Sequence, residues 1–188
     1  MNALVLGGTH GIGLATTELL RSKQWDVIAY GHCHYNVCYP SLREEYTFKQ
    51  DAYRLGGYDA FVYSAGSLTE VGLSAFSFAT RFYDIMTRHF TLFNPKCVVV
   101  AVSSVAAGRA AKVNPDYAAN KAALESYART LQDLNITKQR DWRIEVIRFD
   151  LVHTRMLDSL PKPIDMTNRE YITPEVAAQR IMTLIGVD

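Results

Sequence analysis

The chain has 188 residues, 48% of them hydrophobic, with 20 Lys and Arg against 19 Asp and Glu. That length and apolar content predict one domain, residues 1–188, with a full core. A formal net charge of +1, spread along the chain, gives no electrostatic case for nucleic acid or an anionic membrane. No apolar run nears the roughly 20 residues of a membrane span. Residues 1–6 lack the charged and apolar regions of a secretory signal, so a cytoplasmic protein is expected.

Ala3-Leu4-Val5-Leu6 is a continuous apolar run ending in glycines, the pattern of a buried parallel strand. Gly7-Gly8-Thr9-His10-Gly11-Ile12-Gly13 follows it and opens a helix. In that context the spacing predicts a dinucleotide-phosphate turn. Gly7 permits the tight exit from the strand, Gly11 lets a pyrophosphate approach the backbone, and Gly13 lets the helix pack on the sheet. Thr9, His10 and Ile12 complete the expected cradle, in which amides and the positive helix end face the phosphates.

Residues 12–23 have helical spacing, with Ile12, Ala15, Leu19 and Leu20 on one face. Trp25-Asp26-Val27-Ile28-Ala29-Tyr30 predicts a second strand. Three cysteines, Cys33, Cys38 and Cys97, argue against a disulfide framework. His32, Cys33, His34 and Cys38 fit no standard zinc spacing, so no metal is expected. A short third strand is expected around Tyr46-Thr47-Phe48, a fourth over 59–64, a fifth over 97–102 and a sixth over 143–148. Helical stretches are expected at 70–93, 115–136 and 174–185. Residues 156–173 hold Pro161 and Pro163 with little periodicity, the pattern of a mobile loop. The alternation predicts an α/β fold: a single-domain, Rossmann-like, doubly wound parallel sheet with helices on both faces.

Tyr117 and Lys121 are four residues apart on the helix at 115–136, and Ser104 lies thirteen residues before the tyrosine. An i,i+4 pair stands about 40° apart around the axis and about 6 Å along it, so both side chains share a face. An ammonium about 4 Å from the phenol is worth roughly 4 kcal/mol at an effective dielectric near 20. That is enough to lower a tyrosine pKa by up to about 3 units, toward the range where acid–base catalysis works. Taken alone, such a pair is also ordinary helix decoration.

Together these residues resemble the short-chain dehydrogenase/reductase family, as an unusually short member. Gly7, Gly11 and Gly13 match its glycine motif, and Tyr63-Ser64-Ala65-Gly66 resembles its Asn-Asn-Ala-Gly segment. Ser104, Tyr117 and Lys121 match its catalytic residues, and Thr154 matches a threonine that contacts the cofactor. The resemblance implies hydride transfer between a nicotinamide cofactor and a carbonyl or alcohol. Tyr117 would move the proton, Lys121 would lower its pKa and hold the ribose, and Ser104 would bond the substrate oxygen. Asp51, Ala65, Gly66 and Val152 are further cofactor-binding positions on the same basis. The family's partners imply a small-molecule substrate and a homodimer or homotetramer built on the helices at 70–93 and 115–136.

The chain also departs from the pattern. Tyr63 or Ser64 replaces the leading asparagine, Phe149-Asp150 replaces a Pro-Gly, and Met86 stands in the place of the usual catalytic asparagine. The segments 51–58 and 86–95 are short, so a helix on one face is expected to be trimmed or missing. No carboxylate ends the second strand, which reads Ala29-Tyr30-Gly31-His32. With His10 and His32 as basic groups and Arg43 as a further one, NADP(H) is preferred and NAD(H) is possible. Two other readings stay open: a catalytically weak or inactive NADP(H)-binding regulator, and a sugar-nucleotide epimerase lacking its second lobe.

Overall fold

The structure is a computed structural model, and it describes residues 1–31, 42–68, 73–109, 114–134, 139–158 and 171–187. Five parallel strands form its sheet: β1 (Asn2–Leu6), β2 (Asp26–Tyr30), β3 (Tyr58–Tyr63), β4 (Phe93–Ser104) and β5 (Arg143–Phe149). Their order is β2-β1-β3-β4-β5. The chain starts at β1, turns outward to β2, then crosses back to β3 on the other side. The sheet therefore reverses direction between β1 and β3, the kind of crevice where open α/β sheets hold ligands.

The strands are apolar because both faces are covered. Helix α1 (Gly11–Ser22) and the last helix, here α6 (Pro174–Ile185), lie on one face. They close a core of Ala3, Val5, Val62, Val100, Ala177 and Ile181. Helices α2 (Leu42–Leu55), α3 (Leu73–Arg88) and α4 (Pro115–Asp133) cover the other face, over Leu4, Leu6, Phe61, Phe82, Val99 and Leu124. Alternate strand residues feed the two cores, as a period of two requires. A short helix, α5 (Arg155–Asp158), and a two-stranded pair, β6 (Leu151–Val152) with β7 (Tyr171–Ile172), complete the described elements. Among the described residues no helix is long and apolar enough to cross a membrane.

The expected doubly wound sheet is present. The third strand is not: Tyr46-Thr47-Phe48 lies inside α2. Phe48 and Ala52 are fully buried one turn apart, and Leu55 packs on the same cluster. That period of 3–4 is helical, and it overrides the β-propensity of three consecutive residues. The fourth, fifth and sixth expected strands are thus β3, β4 and β5. Strand β4 begins earlier than expected, at Phe93, and carries Lys96 at φ 69° near a register shift against β3. The helix expected over 70–93 is described from Leu73 and ends at Arg88, followed by a single 3-10 turn over Phe90–Leu92.

Candidate active site

The crevice is built from the C-terminal ends of β1, β3 and β4. Gly7 leaves β1 at φ 83°, and its amide and that of Gly8 both donate to the Tyr30 carbonyl, at 2.8 and 3.0 Å. The turn is thereby pinned to β2. A Cβ at Gly13 would stand 2.1 Å from the Gly7 carbonyl oxygen, so α1 touches the turn without room for a side chain. Gly11, at φ 52°, faces Thr154, whose Cγ2 would be 3.0 Å from a Cβ there. His10 caps α1 without a side-chain bond to its amides, and no acidic residue stands in the first turn. No carboxylate of the first turn therefore offsets the positive helix end. Thr9 accepts or donates at 3.0 Å with His10 Nδ1, and stands over Gly31, where a Cβ would be 1.8 Å from the Thr9 hydroxyl oxygen. Ile12 packs against the core beneath the turn.

On the other side, Ser104 ends β4 and Tyr117 opens α4. Asn114 caps that helix: its Oδ1 accepts from the Tyr117 amide at 2.9 Å, and its Nδ2 donates to the Leu68 carbonyl at 2.8 Å. The cap thus ties the first turn of α4 to the segment after β3. Ser104 Oγ accepts from the Ala106 amide at 3.2 Å. Burial pushes the Tyr117 phenol up, and a hydrogen bond with Ser104 pulls it back down. Lys121 is buried, and its Nζ donates to the Val102 carbonyl at 2.8 Å and reaches the Ala65 carbonyl at 3.5 Å. Burial lowers its pKa to about 8. A Cβ on Gly66 would come within 3.3 Å of that nitrogen.

This geometry changes one expectation. Lys121 Nζ lies 5.8 Å from the centroid of the Tyr117 ring and is aimed at backbone carbonyls. Desolvation outweighs any pull it exerts, so the phenol stays protonated at neutral pH. Ser104, Tyr117, Lys121, Ala65 and Gly66 come together, and Gly7, Thr9, His10, Gly11, Ile12, Gly13 and Thr154 form the adjoining turn. Val152 instead buries its side chain with Ala177 and Ile181. Asp51 is on α2, where it accepts from the Tyr30 hydroxyl at 2.5 Å and pairs with Arg54 at 3.4 Å. Its charge bears on Tyr58 at the start of β3. Met86 is fully buried in the core and lies near the far end of α3. His32, Cys33, His34 and Cys38, and the side chain of Arg43, lie outside the described residues. Among the described residues no cluster of potential metal ligands occurs.

Three contacts escaped the sequence reading. Asn114 was legible as a helix cap, because Asn-Pro-Asp is a helix-start signature. Glu125, one turn after Lys121, is buried and accepts from Ser103 Oγ at 2.7 Å and from Arg148 Nε and Nη2 at 2.7 and 2.6 Å. The Arg148 and Ser103 hydrogen bonds hold its carboxyl below the usual range against the cost of burial. Asp150, in the pair that replaces the Pro-Gly, bonds Arg109 at 3.0 Å beyond the end of β4. No local signal marks either pair, since their members are 23 and 41 residues apart.

No protein-family model matches the sequence, and no curated protein matches it. Many solved structures do match the fold. The 3-alpha-hydroxysteroid dehydrogenase of Pseudomonas sp. B-0831, complexed with NADH, superposes with a TM-score of 0.78 at 20% identity, over 99% of this chain and 90% of that one. The 3-ketoacyl-(acyl-carrier-protein) reductase of Brucella melitensis, complexed with NADH, gives 0.81 at 17%, over 98% and 90%. A short chain dehydrogenase of Burkholderia cenocepacia J2315, in complex with NADP, gives 0.70 at 18%, over 97% and 89%. The chain therefore has the fold of the short-chain dehydrogenases and reductases.

Proposed function

We propose that the protein is a member of that family, an oxidoreductase acting on a carbonyl or alcohol with NADP(H) in preference to NAD(H). The observation that carries this is the meeting of Ser104, Tyr117 and Lys121 beside a glycine turn whose helix end lacks a side-chain cap. The residues present fit a dinucleotide. The turn has no room for side chains at Gly7 and Gly13, and the α1 terminus offers positive potential for a pyrophosphate. Gly66 and the Lys121 ammonium would hold the ribose, with Thr154 across from Gly11 at the nicotinamide end. When bound, the nicotinamide supplies or accepts the hydride.

The chain's own residues then handle the proton. Tyr117, kept protonated by burial, is poised as the general acid for a carbonyl oxygen. Ser104 accepts from the Ala106 amide on one lone pair, which leaves its hydroxyl hydrogen to donate to the same oxygen as charge develops. Lys121, with a pKa of about 8, is mostly protonated at neutral pH and supplies the positive charge that favours the phenolate once the proton has left. The preference for NADP(H) rests on Tyr30 and Gly31, which end β2 without a carboxylate. Assembly as a homodimer or homotetramer through α3 and α4 belongs to the same reading.

The test is NADPH oxidation over a panel of carbonyl compounds, beside calorimetric titration with NADPH and NADH. Tighter NADH binding would overturn the cofactor preference. A second reading, a quiet NADP(H)-binding regulator, is favoured by the Arg109–Asp150 pair above the β4 and β5 ends. It requires cofactor binding without turnover across the panel.

A further inference from the structure

The peptide group joining Phe78 to Ala79 in α3 is held on both sides by side chains from other elements. Tyr63, the last residue of β3, donates its hydroxyl to the Phe78 carbonyl at 2.5 Å. Asn120, on α4, accepts from the Ala79 amide through Oδ1 at 3.1 Å. Both side chains are buried, at 0% and 3% exposure. One peptide unit thus links the strand before Ala65-Gly66 to the helix that carries Tyr117 and Lys121. Asn120 is the residue immediately before Lys121 and three after Tyr117.

The rest of the α3–α4 seam has weaker directional preference. Tyr83 and Tyr127 stack across it at 4.9 Å, and Ala79, Phe82, Leu124 and Ala128 fill the interior. Apolar and stacking contacts tolerate a helix rolling on its neighbour, whereas a hydrogen bond loses strength steeply with angle. Side chains on a helix reach about 6 Å from its axis, so a roll of about 10° would displace the tip of Lys121 by roughly 1 Å. The Val102 carbonyl contact at 2.8 Å could not survive that displacement. A misplacement of about 1 Å in a catalytic constellation can cost about 100-fold in rate.

We infer that Asn120 is a positioning residue: with Tyr63, it grips the Phe78–Ala79 peptide and, from the α3 side, sets the rotation of α4 together with the Glu125 bonds to Ser103 and Arg148, so that Lys121 and Tyr117 face the crevice. The inference rests on the proposed acid–base roles of Tyr117 and Lys121, and its test separates the two claims.

The experiment compares the full-length protein with Asn120→Ala, Asn120→Asp and Tyr63→Phe. It reads steady-state kinetics with NADPH and the side-chain NMR signal of Lys121 in cofactor-free protein. Asn120→Ala should lower kcat about 30-fold while the KM for NADPH changes less than about threefold, and it should shift the Lys121 signal. Asn120→Asp keeps the acceptor oxygen and should recover kcat to within about threefold of the original. Folded Asn120→Ala with kcat within about threefold and an unmoved Lys121 signal would overturn the inference. Should Asn120→Ala not fold, Tyr63→Phe decides: it keeps the ring, loses only the hydroxyl, and should lower kcat at least about fivefold and shift the Lys121 signal. No change in either readout overturns the inference. If the original protein turns over nothing, yet the Lys121 signal moves in the variants, the proposed activity fails and the positioning stands.

Discussion

The two ends of the crevice are made in opposite ways. Around Tyr117 the site consists of side chains joined across long stretches of sequence: Lys121 to the Val102 carbonyl, Ser103 and Arg148 to Glu125, Asn114 to the Leu68 carbonyl. Around the glycine turn it consists of side chains left out. A Cβ at Gly7, Gly13 or Gly31 would fall within 2.7 Å or less of another atom. Hydride chemistry needs particular functional groups in particular places, whereas a phosphate cradle needs backbone amides that nothing obstructs. The first end should therefore fail when atoms are removed, and the second when atoms are added.

The largest expected effect is at the first end. Tyr117→Phe removes one oxygen and should lower kcat about 1000-fold, with NADPH affinity unchanged in a fluorescence titration. Full turnover in this variant would sink the acid–base assignment. At the second end, Gly13→Ala adds one carbon where only 2.1 Å is free. It should cost about 3 kcal/mol in denaturant unfolding, because the turn and helix α1 cannot both keep their places.

Lys121 gives a pH signature. The folded protein releases its proton above about pH 8 and the unfolded chain above 10.5. Between those values the unfolded chain binds more protons, so stability should rise with pH, by at most about 3 kcal/mol. Tyr117, whose folded-state pKa is raised, acts in the opposite sense above pH 10. Cys97, whose thiol burial pushes up, opposes it above pH 9, so the gain should be seen between pH 8 and 9 and should vanish in Lys121→Met. The smallest effect concerns His10, exposed at the mouth of the turn. His10→Ala should weaken NADP(H) binding about threefold and leave NAD(H) binding unchanged, as an exposed partner of a phosphate contributes little.

What could be read from the sequence divides along the same line. The glycine turn was legible because its requirements are local: a strand, a tight turn and a helix within thirteen residues. The Tyr117–Lys121 pair was legible for the same reason, since helical geometry places i and i+4 together without any knowledge of the fold. The direction in which Lys121 points was not, because it depends on carbonyls of Val102 and Ala65, which β4 and β3 bring to it. Proximity on one helix face predicted a lowered tyrosine; burial by the assembled domain raised it instead. The expected third strand failed because Tyr46, Thr47 and Phe48 were weighed by propensity over three residues. The spacing of Phe48, Ala52 and Leu55 over eight shows the helix. Asp51 lies on the same helix, where it accepts from the Tyr30 hydroxyl.

The position of α2 has a consequence for how small a domain of this fold can be. A sheet grows outward from its middle, and the reversal between β1 and β3 lies near the middle. The strand expected outside β2, at the rim, is absent among the described residues, and its residues lie in α2 on a face of the sheet. Shortening there leaves the central gap and everything aimed into it where they were. A scaffold whose candidate site sits at its axis of growth can be pared from the margin, and an engineer seeking a minimal version of this fold would trim there first.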